Sequence, residues 1–280
     1  MANGRGVTTV VVLGGTGNAG RAVVREALAR GLTVRVLSRH VPEHDDVRRV
    51  EGAAYVALDV LGDGTVVAEA LDGALAGADA VIDASNGMGP GSMKVFTTGA
   101  ERLAAAARRA GVGRISVLSI ANVDKADYAY YEAHVAQERT YLRGAEVGGV
   151  PVTVVRATQF HDFLELFFGR DGRLGRWARL GLLPVPRGTR FQSIDLSDVA
   201  RALVDAALED GPARTWTVGG PEVLDARDMA QRWRRVHGSR RPVVAVQLPG
   251  GIGAFFRAGL NLVPDARYGT VTYDEWLAQR

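Results

Sequence analysis

Over its first 156 residues the chain alternates short, nearly unbroken apolar runs with longer segments whose apolar positions recur every three or four residues. The apolar runs at 8–13, 33–37, 54–58, 80–83, 114–118 and 152–155 are rich in β-branched residues and predict strands. The segments 18–30, 93–110 and 130–144 predict helices between them. Continuous apolar strands separated by helices mean a parallel sheet covered on both faces. After Arg156 the pattern loosens. Residues 160–168 are aromatic-rich and 180–186 are apolar but carry Pro184 and Pro186. Residues 194–208 predict a helix opened by Asp195 or Ser197, 215–218 one more strand, and Asp225 with Asp228 a capped helix running to His237.

The fold class expected from this pattern is α/β, a doubly wound parallel sheet (Rossmann) with a small C-terminal α/β lobe. The expected division is 1–156 for the doubly wound domain and 157–280 for the smaller lobe, with 213–219 returning to the main sheet. Such a lobe would stand over the carboxyl edge of the sheet, where open α/β sheets place their ligands.

The candidate chemistry begins at VVVLGGTGNAGR, where Gly14, Gly17 and Gly20 give G-x-x-G-x-x-G between a predicted strand and a predicted helix. Gly14 permits the tight turn, Gly17 lets the backbone approach a pyrophosphate, and Gly20 lets helix and strand pack closely. Thr16, Asn18 and Ala19 complete the loop, whose N–H groups and helix dipole would hold phosphates. Three glycines alone are a weak signal in a chain with 35 of them. The strand before, the helix after, and a second strand ending about 20 residues on make it a dinucleotide fingerprint.

The second strand decides the cofactor. An NAD site places a carboxylate there for the ribose 2′-hydroxyl. Here the strand ends VRVLSRH, with no acidic residue between Glu26 and Glu43. A forked arginine suits a 2′-phosphate, so Arg39 with Ser38 points to NADP(H), and Arg21 could either assist or face solvent.

Composition narrows the field. The chain is 47% hydrophobic and 23% charged, an ordinary globular balance. It has no cysteine, which excludes disulfides, thiolate metal sites and cysteine nucleophiles and suits a reducing cytoplasm. No apolar run approaches the length of a membrane span. The net charge is +3, and of 34 basic residues only Lys94 and Lys125 are lysines. The arginines between Arg232 and Arg241 read as a solvated helix face, so no nucleic-acid partner is expected. His40 and His44 lack a third ligand, so no metal site is expected.

The segments VVVLGGTGNAGR, VRVLSR, ALDV, RISVLSIANVD, YYEAHVAQERTYLR and VTVVRATQFHDFL together resemble the atypical short-chain dehydrogenase/reductases of the NmrA-like, NAD(P)H-binding kind. The resemblance covers most of the chain. It implies that Asp59 and Val60 lie near the adenine, Ala84 and Ser85 beside the ribose, and the segment Thr158–Phe160 along the nicotinamide and substrate. Reductases of this superfamily work with a serine that fixes the carbonyl, a tyrosine that gives the proton and a lysine that lowers the tyrosine's pKa. Ser119 matches the serine and Tyr130 the tyrosine, but His134 stands at the lysine position. No Tyr-x-x-x-Lys exists anywhere, since Pro90 and Ala121 precede the two lysines by four. An imidazolium at His134 could ease a tyrosinate, and its charge would be lost above about pH 6.5. His161 and Asp162 are a substitute acid and orienting carboxylate of lower rank. Phe160, Phe163, Phe167 and Phe168 read as core or pocket wall.

The resemblance implies an NADPH-dependent oxidoreductase acting on a carbonyl or activated double bond of a small apolar or aromatic molecule. The alternatives are a non-catalytic NADP(H)-binding redox sensor and an NADP-bound cyclase or isomerase.

Overall fold

The structure is a computed structural model that describes residues 8–87, 91–165 and 180–280. A seven-stranded sheet runs in the order β3-β2-β1-β4-β5-β6-β9. Its strands are β1 (Thr9–Leu13), β2 (Thr33–Ser38), β3 (Ala54–Ala57), β4 (Ala80–Asp83), β5 (Arg114–Ile120), β6 (Val152–Ala157) and β9 (Arg214–Val218). The pairings from β3 through β5 are parallel, with Leu13 beside Leu37 on one flank and Asp83 on the other. The strand order reverses between β1 and β4, which is the switch point of a doubly wound sheet.

Helices α1 (Asn18–Ala29), α2 (Gly64–Leu75), α3 (Ala100–Arg109), α4 (Ala129–Glu146) and α5 (Leu196–Leu208) accompany this sheet. The sequence pattern missed α2, although Asp63 caps it by accepting from the N–H groups of Thr65 and Val66. Val67, Leu71, Ala74 and Leu75 form its buried stripe, and the main apolar cluster joins that stripe to Val11, Leu13, Leu37, Val81, Leu103, Ile115, Val117 and Val154. The single helix expected over 93–110 is interrupted. Its start is one turn at Ser92–Lys94, then a π-helical segment at Val95–Gly99, then α3. Gly99 lies in the π segment, and a Cβ there would press on the Val60 side chain at 3.0 Å.

Two smaller sheets follow: β8 (Arg190–Phe191) pairs antiparallel with β10 (Leu224–Asp225), and β7 (Leu183–Pro186) pairs parallel with β11 (Val243–Val246). Helices α6 (Ala226–Val236), α7 (Gly250–Arg257) and α8 (Tyr273–Ala278) complete the described elements. Asp225 caps α6 through the Arg227 N–H, and Thr272 with Glu275 forms a capping box on α8.

The sequence reading divides the chain after residue 156 and returns 213–219 to the sheet, where β9 lies; the compact units interleave more finely than that. One unit comprises Met1–Ser119, Ala133–Val155 and Val199–Trp216; the other comprises Ile120–Glu132, Arg156–Asp198 and Thr217–Arg280. The first unit recruits α5 through its own contacts. The Ser116 hydroxyl donates to the Leu203 carbonyl at 2.9 Å, Arg114 donates to the Gly211 carbonyl, and Arg30 pairs with Asp205 at 2.7 Å. No helix among the described residues is long and apolar enough to cross a membrane.

Candidate nucleotide and substrate site

The phosphate loop leaves β1 and enters α1. Gly14 has φ +77°, and its N–H donates to the Leu37 carbonyl of β2 at 3.0 Å. A Cβ at Gly14 would sit 2.7 Å from Ser85 Cα, so glycine is required there for both conformation and space. A Cβ at Gly20 would run into the Gly14 carbonyl, so glycine is required for helix–strand packing. Gly17 differs. Its φ is −75°, and the nearest atom to a Cβ is the Gly14 oxygen at an ordinary 3.4 Å.

Nothing among the described residues therefore forces glycine at 17; the room it leaves is at the N-terminus of α1, whose first turn carries no acidic residue. Open N–H groups and a positive helix end accept a phosphate at such a place. Arg21 adds a cation there. One of its guanidinium nitrogens donates to Asn18 Oδ1 at 3.1 Å, while its buried Nε has no partner among the described residues. The Thr16 and Ser38 hydroxyls hydrogen-bond at 2.8 Å and tie the loop to the end of β2. Arg39 follows in the open. These residues fit a dinucleotide whose pyrophosphate lies on α1.

Asp59 is exposed and accepts from the Leu61 N–H at 3.0 Å, while Val60 is buried and its carbonyl takes an Arg102 bond at 2.7 Å. Ala84 is buried and its N–H donates to the Leu13 carbonyl; the Ser85 N–H donates to Asp83 Oδ1 at 2.9 Å. No sequence motif marks Asp83, yet it organises this end of β4. Its other oxygen accepts from Gln137 Nε2 at 3.0 Å and from the Tyr141 hydroxyl at 2.7 Å, both on α4. Burial, with Asp83 adding its charge, holds the Tyr141 phenol well above its ordinary pKa.

The residues at the superfamily's catalytic positions occupy surroundings that the sequence does not reveal. Ser119 is buried on β5 and gives its hydroxyl hydrogen to Glu138 Oε1 of α4 at 2.5 Å. His134 is buried with its ring 4.4 Å from that of Phe96. Burial pushes its imidazole down to about 4, against an opposing bond from Gln137. The expectation of ordinary titration near 6.5 is thereby corrected: desolvation disfavours the charged form, and the ring is neutral at physiological pH. Tyr130 is half-buried in the first turn of α4, its ring 6.2 Å from Tyr131 and 6.3 Å from Tyr128.

In the second unit, Thr158 is buried, with Oγ1 accepting from the Gly220 N–H at 3.3 Å. Phe160 makes a backbone bridge to Ile194. The His161 nitrogens are engaged by Ser193 Oγ at 2.8 Å and the Val271 carbonyl at 3.1 Å, and burial lowers the pKa of this ring too. These bonds give His161 a bracing role between chain segments. Phe163 lies in the short turn His161–Leu164, and Phe167 and Phe168 fall outside the described residues. His40 and His44 are exposed outside any helix, and no metal-ligand cluster occurs among the described residues.

The NAD(P)H-binding family model matches residues 14–165. A (4-alkanoyl-5-oxo-2,5-dihydrofuran-3-yl)methyl phosphate reductase of Streptomyces griseus is 33% identical over 232 residues, 82% of this chain and 74% of that protein. The photosystem II assembly factor Ycf39 of Synechocystis sp. is 27% identical over 270 residues, 89% of this chain and 73% of that protein. Among solved structures, a short-chain dehydrogenase/reductase superfamily protein of Agrobacterium tumefaciens with bound NAD superposes with a TM-score of 0.72 at 20% identity, covering 97% of this chain and 95% of that one. With the Gly14–Gly20 loop, the switch-point sheet and these matches, the chain belongs to the NAD(P)H-binding family and shares the fold of that short-chain dehydrogenase/reductase superfamily protein.

Proposed function

We propose that the chain is an NADPH-dependent oxidoreductase that reduces an activated double bond or conjugated carbonyl of a small apolar or aromatic molecule. The observation that carries the reading is the loop itself. Gly17 leaves room at the α1 N-terminus with the Arg21 Nε unpartnered beside it, and Arg39 follows a β2 end that has no carboxylate. In this reading Gly14, Thr16, Gly17, Asn18, Ala19 and Gly20 hold the pyrophosphate, and Ser38 and Arg39 hold the 2′-phosphate. Asp59 and Val60 border the adenine, Ala84 and Ser85 the ribose, and Thr158 and Phe160 the nicotinamide. The bound nucleotide supplies a hydride.

The catalytic positions favour one substrate class. Reduction of a simple ketone needs a proton at oxygen as the hydride arrives. Ser119 spends its hydrogen on Glu138, and His134 holds no charge to ease a tyrosinate. In this reading both residues seat α4, and Tyr130 alone keeps the proton-donor position. A conjugated acceptor tolerates that arrangement because its negative charge is delocalised and can be protonated later from water. The Streptomyces griseus relative, named as a reductase of a 4-alkanoyl-5-oxo-2,5-dihydrofuran, supports hydride chemistry.

A second reading, a non-catalytic NADP(H)-binding regulator, draws on the same neutral His134 and on the likeness to an assembly factor. Titration calorimetry with NADPH and NADH, followed by NADPH oxidation against enones, quinones and ketones, separates the two. The reductase reading expects at least about tenfold tighter NADPH binding, about 1.4 kcal/mol, and turnover of enones or quinones ahead of ketones. Arg39→Ala should abolish the NADPH preference. Equal affinities would remove the 2′-phosphate assignment, and no turnover across the panel would count against the reductase and favour the regulator.

A further inference from the structure

Buried polar groups nearly always find partners, and each exception needs a reason. One exception stands immediately after the carboxyl end of β6, the edge where α/β sheets take their ligands. Gln159 is 8% exposed, and its Oε1 has no partner among the described residues. Among the described residues its Nε2 reaches the Tyr131 phenol oxygen, at 3.5 Å, a distance at which the bond is barely made. Tyr131 is 5% exposed, and burial raises its pKa, so at neutral pH it keeps its proton and can donate it.

The backbone around Gln159 is fixed. Its carbonyl accepts from the Ile194 N–H at 3.0 Å, and the next residue bridges Ile194. Tyr131 is fixed too, edge-on to Phe255 at 5.3 Å and to Tyr128 at 5.6 Å. A rigid scaffold thus presents an unpaired acceptor beside a phenol hydrogen, among aromatic rings and away from water. Preorganised sites have this character.

We infer that Gln159 and Tyr131 form the substrate's polar anchor: the Tyr131 hydroxyl donates to a carbonyl oxygen, and Gln159 Oε1 accepts from a neighbouring hydroxyl of the same flat, conjugated ligand. The inference rests on the reductase reading for its substrate class. It adds that a hydroxyl next to the carbonyl is selected for. A site built to bond a ligand hydroxyl discriminates against the analogue lacking it, because the protein's own polar group is then left unpaired.

The test uses full-length protein loaded with NADP+, so that no reduction occurs, and compares 5-hydroxy-1,4-naphthoquinone with 1,4-naphthoquinone by calorimetry. The chain has no cysteine for quinones to alkylate. The wild type should bind the hydroxylated quinone at least tenfold more tightly. Gln159→Met should erase that preference while leaving NADP+ affinity unchanged and thermal stability equal or higher, since it removes an unsatisfied buried atom. Tyr131→Phe should weaken both quinones about tenfold.

Absence of binding by either quinone, a wild type without the preference, or a Gln159→Met variant that retains it would overturn the inference. If Gln159→Met lowers the melting temperature, the phenol variant decides, and unchanged affinity in Tyr131→Phe overturns the inference. A preference that persists without any NADPH consumption would sink the reductase reading and leave this anchor standing. Consumption of both quinones at equal affinity would do the reverse.

Discussion

Gly17 and His134 show how a single residue's surroundings decide what it can do. At Gly17 the backbone conformation is one that any residue adopts, and no atom of the chain crowds a Cβ. Gly17→Val should therefore cost the fold no more than about 1 kcal/mol as a helix-cap change, yet raise the NADPH dissociation constant at least about 100-fold, roughly 2.7 kcal/mol. Calorimetry and a thermal melt together check this, and normal NADPH binding by the variant would remove the loop from the phosphate site. His134 carries a pH signature instead. Its folded value of about 4 lies below the ordinary 6.5, so between those values the unfolded chain takes a proton that the folded chain refuses. Stability contributed by the neutral ring is full above pH 6.5 and is lost as pH falls toward 4, by about 3 kcal/mol at most. His161 is shifted in the same direction, so the wild-type acid limb contains both. Denaturant unfolding between pH 7 and 4 should show a shallower fall in His134→Leu than in wild type. An identical slope would mean that His134 titrates normally, and the proton-relay role would reopen.

Among the elements, α4 is docked to the sheet by two buried carboxylates placed in opposite senses. Asp83 comes from the sheet and accepts from Gln137 and Tyr141 of the helix, whereas Glu138 comes from the helix and accepts from Ser119 of the sheet. Tyr141→Phe deletes one of Asp83's donors without changing packing and should cost about 1–3 kcal/mol, the usual penalty for a buried group left short of a bond. Combined with Gln137→Leu the loss should depart from additivity, since both act on one carboxylate. Urea denaturation of the cycle reads this directly, and strictly additive values would show that the network is not coupled. This scale also marks what the sequence disclosed. The seven strands of the main sheet, the glycine loop and the capped start of α6 are legible because each depends on local period or turn chemistry, whereas the short strands β7, β8, β10 and β11 carry no such pattern. Helix α2 was missed although Asp63 and the Val67–Leu71–Ala74 spacing signalled it. The environment of Ser119 was not legible. Its place at the end of β5 was clear, but the face it presents depends on which helix residue waits opposite, and Glu138 sits 19 positions away. The neutrality of His134 was hidden for the same reason, since Phe96 meets it only through the tertiary fold.

At the scale of the whole chain, the first compact unit is not a contiguous stretch. It takes in Val199–Trp216, which includes most of α5 and the start of β9. Ala202, Leu203 and Ala206 of α5 are fully buried, and Leu203 and Gly211 supply the carbonyls that satisfy Ser116 and Arg114. A fragment ending at residue 156 would lack all of this. β6 would become an edge strand with unpaired backbone groups, and edges of that kind aggregate. The face left by α5 would expose a contiguous apolar patch to water. We expect residues 1–156 expressed alone to aggregate or to melt without cooperativity, and to bind NADPH at least about 100-fold more weakly than the full chain, even though every glycine of the loop is present. Circular dichroism melts, light scattering and NADPH calorimetry on the fragment supply the test. A monomeric fragment with a sharp transition and full-chain affinity would show that the nucleotide-binding unit closes within its first six strands and that α5 and β9 are dispensable to it.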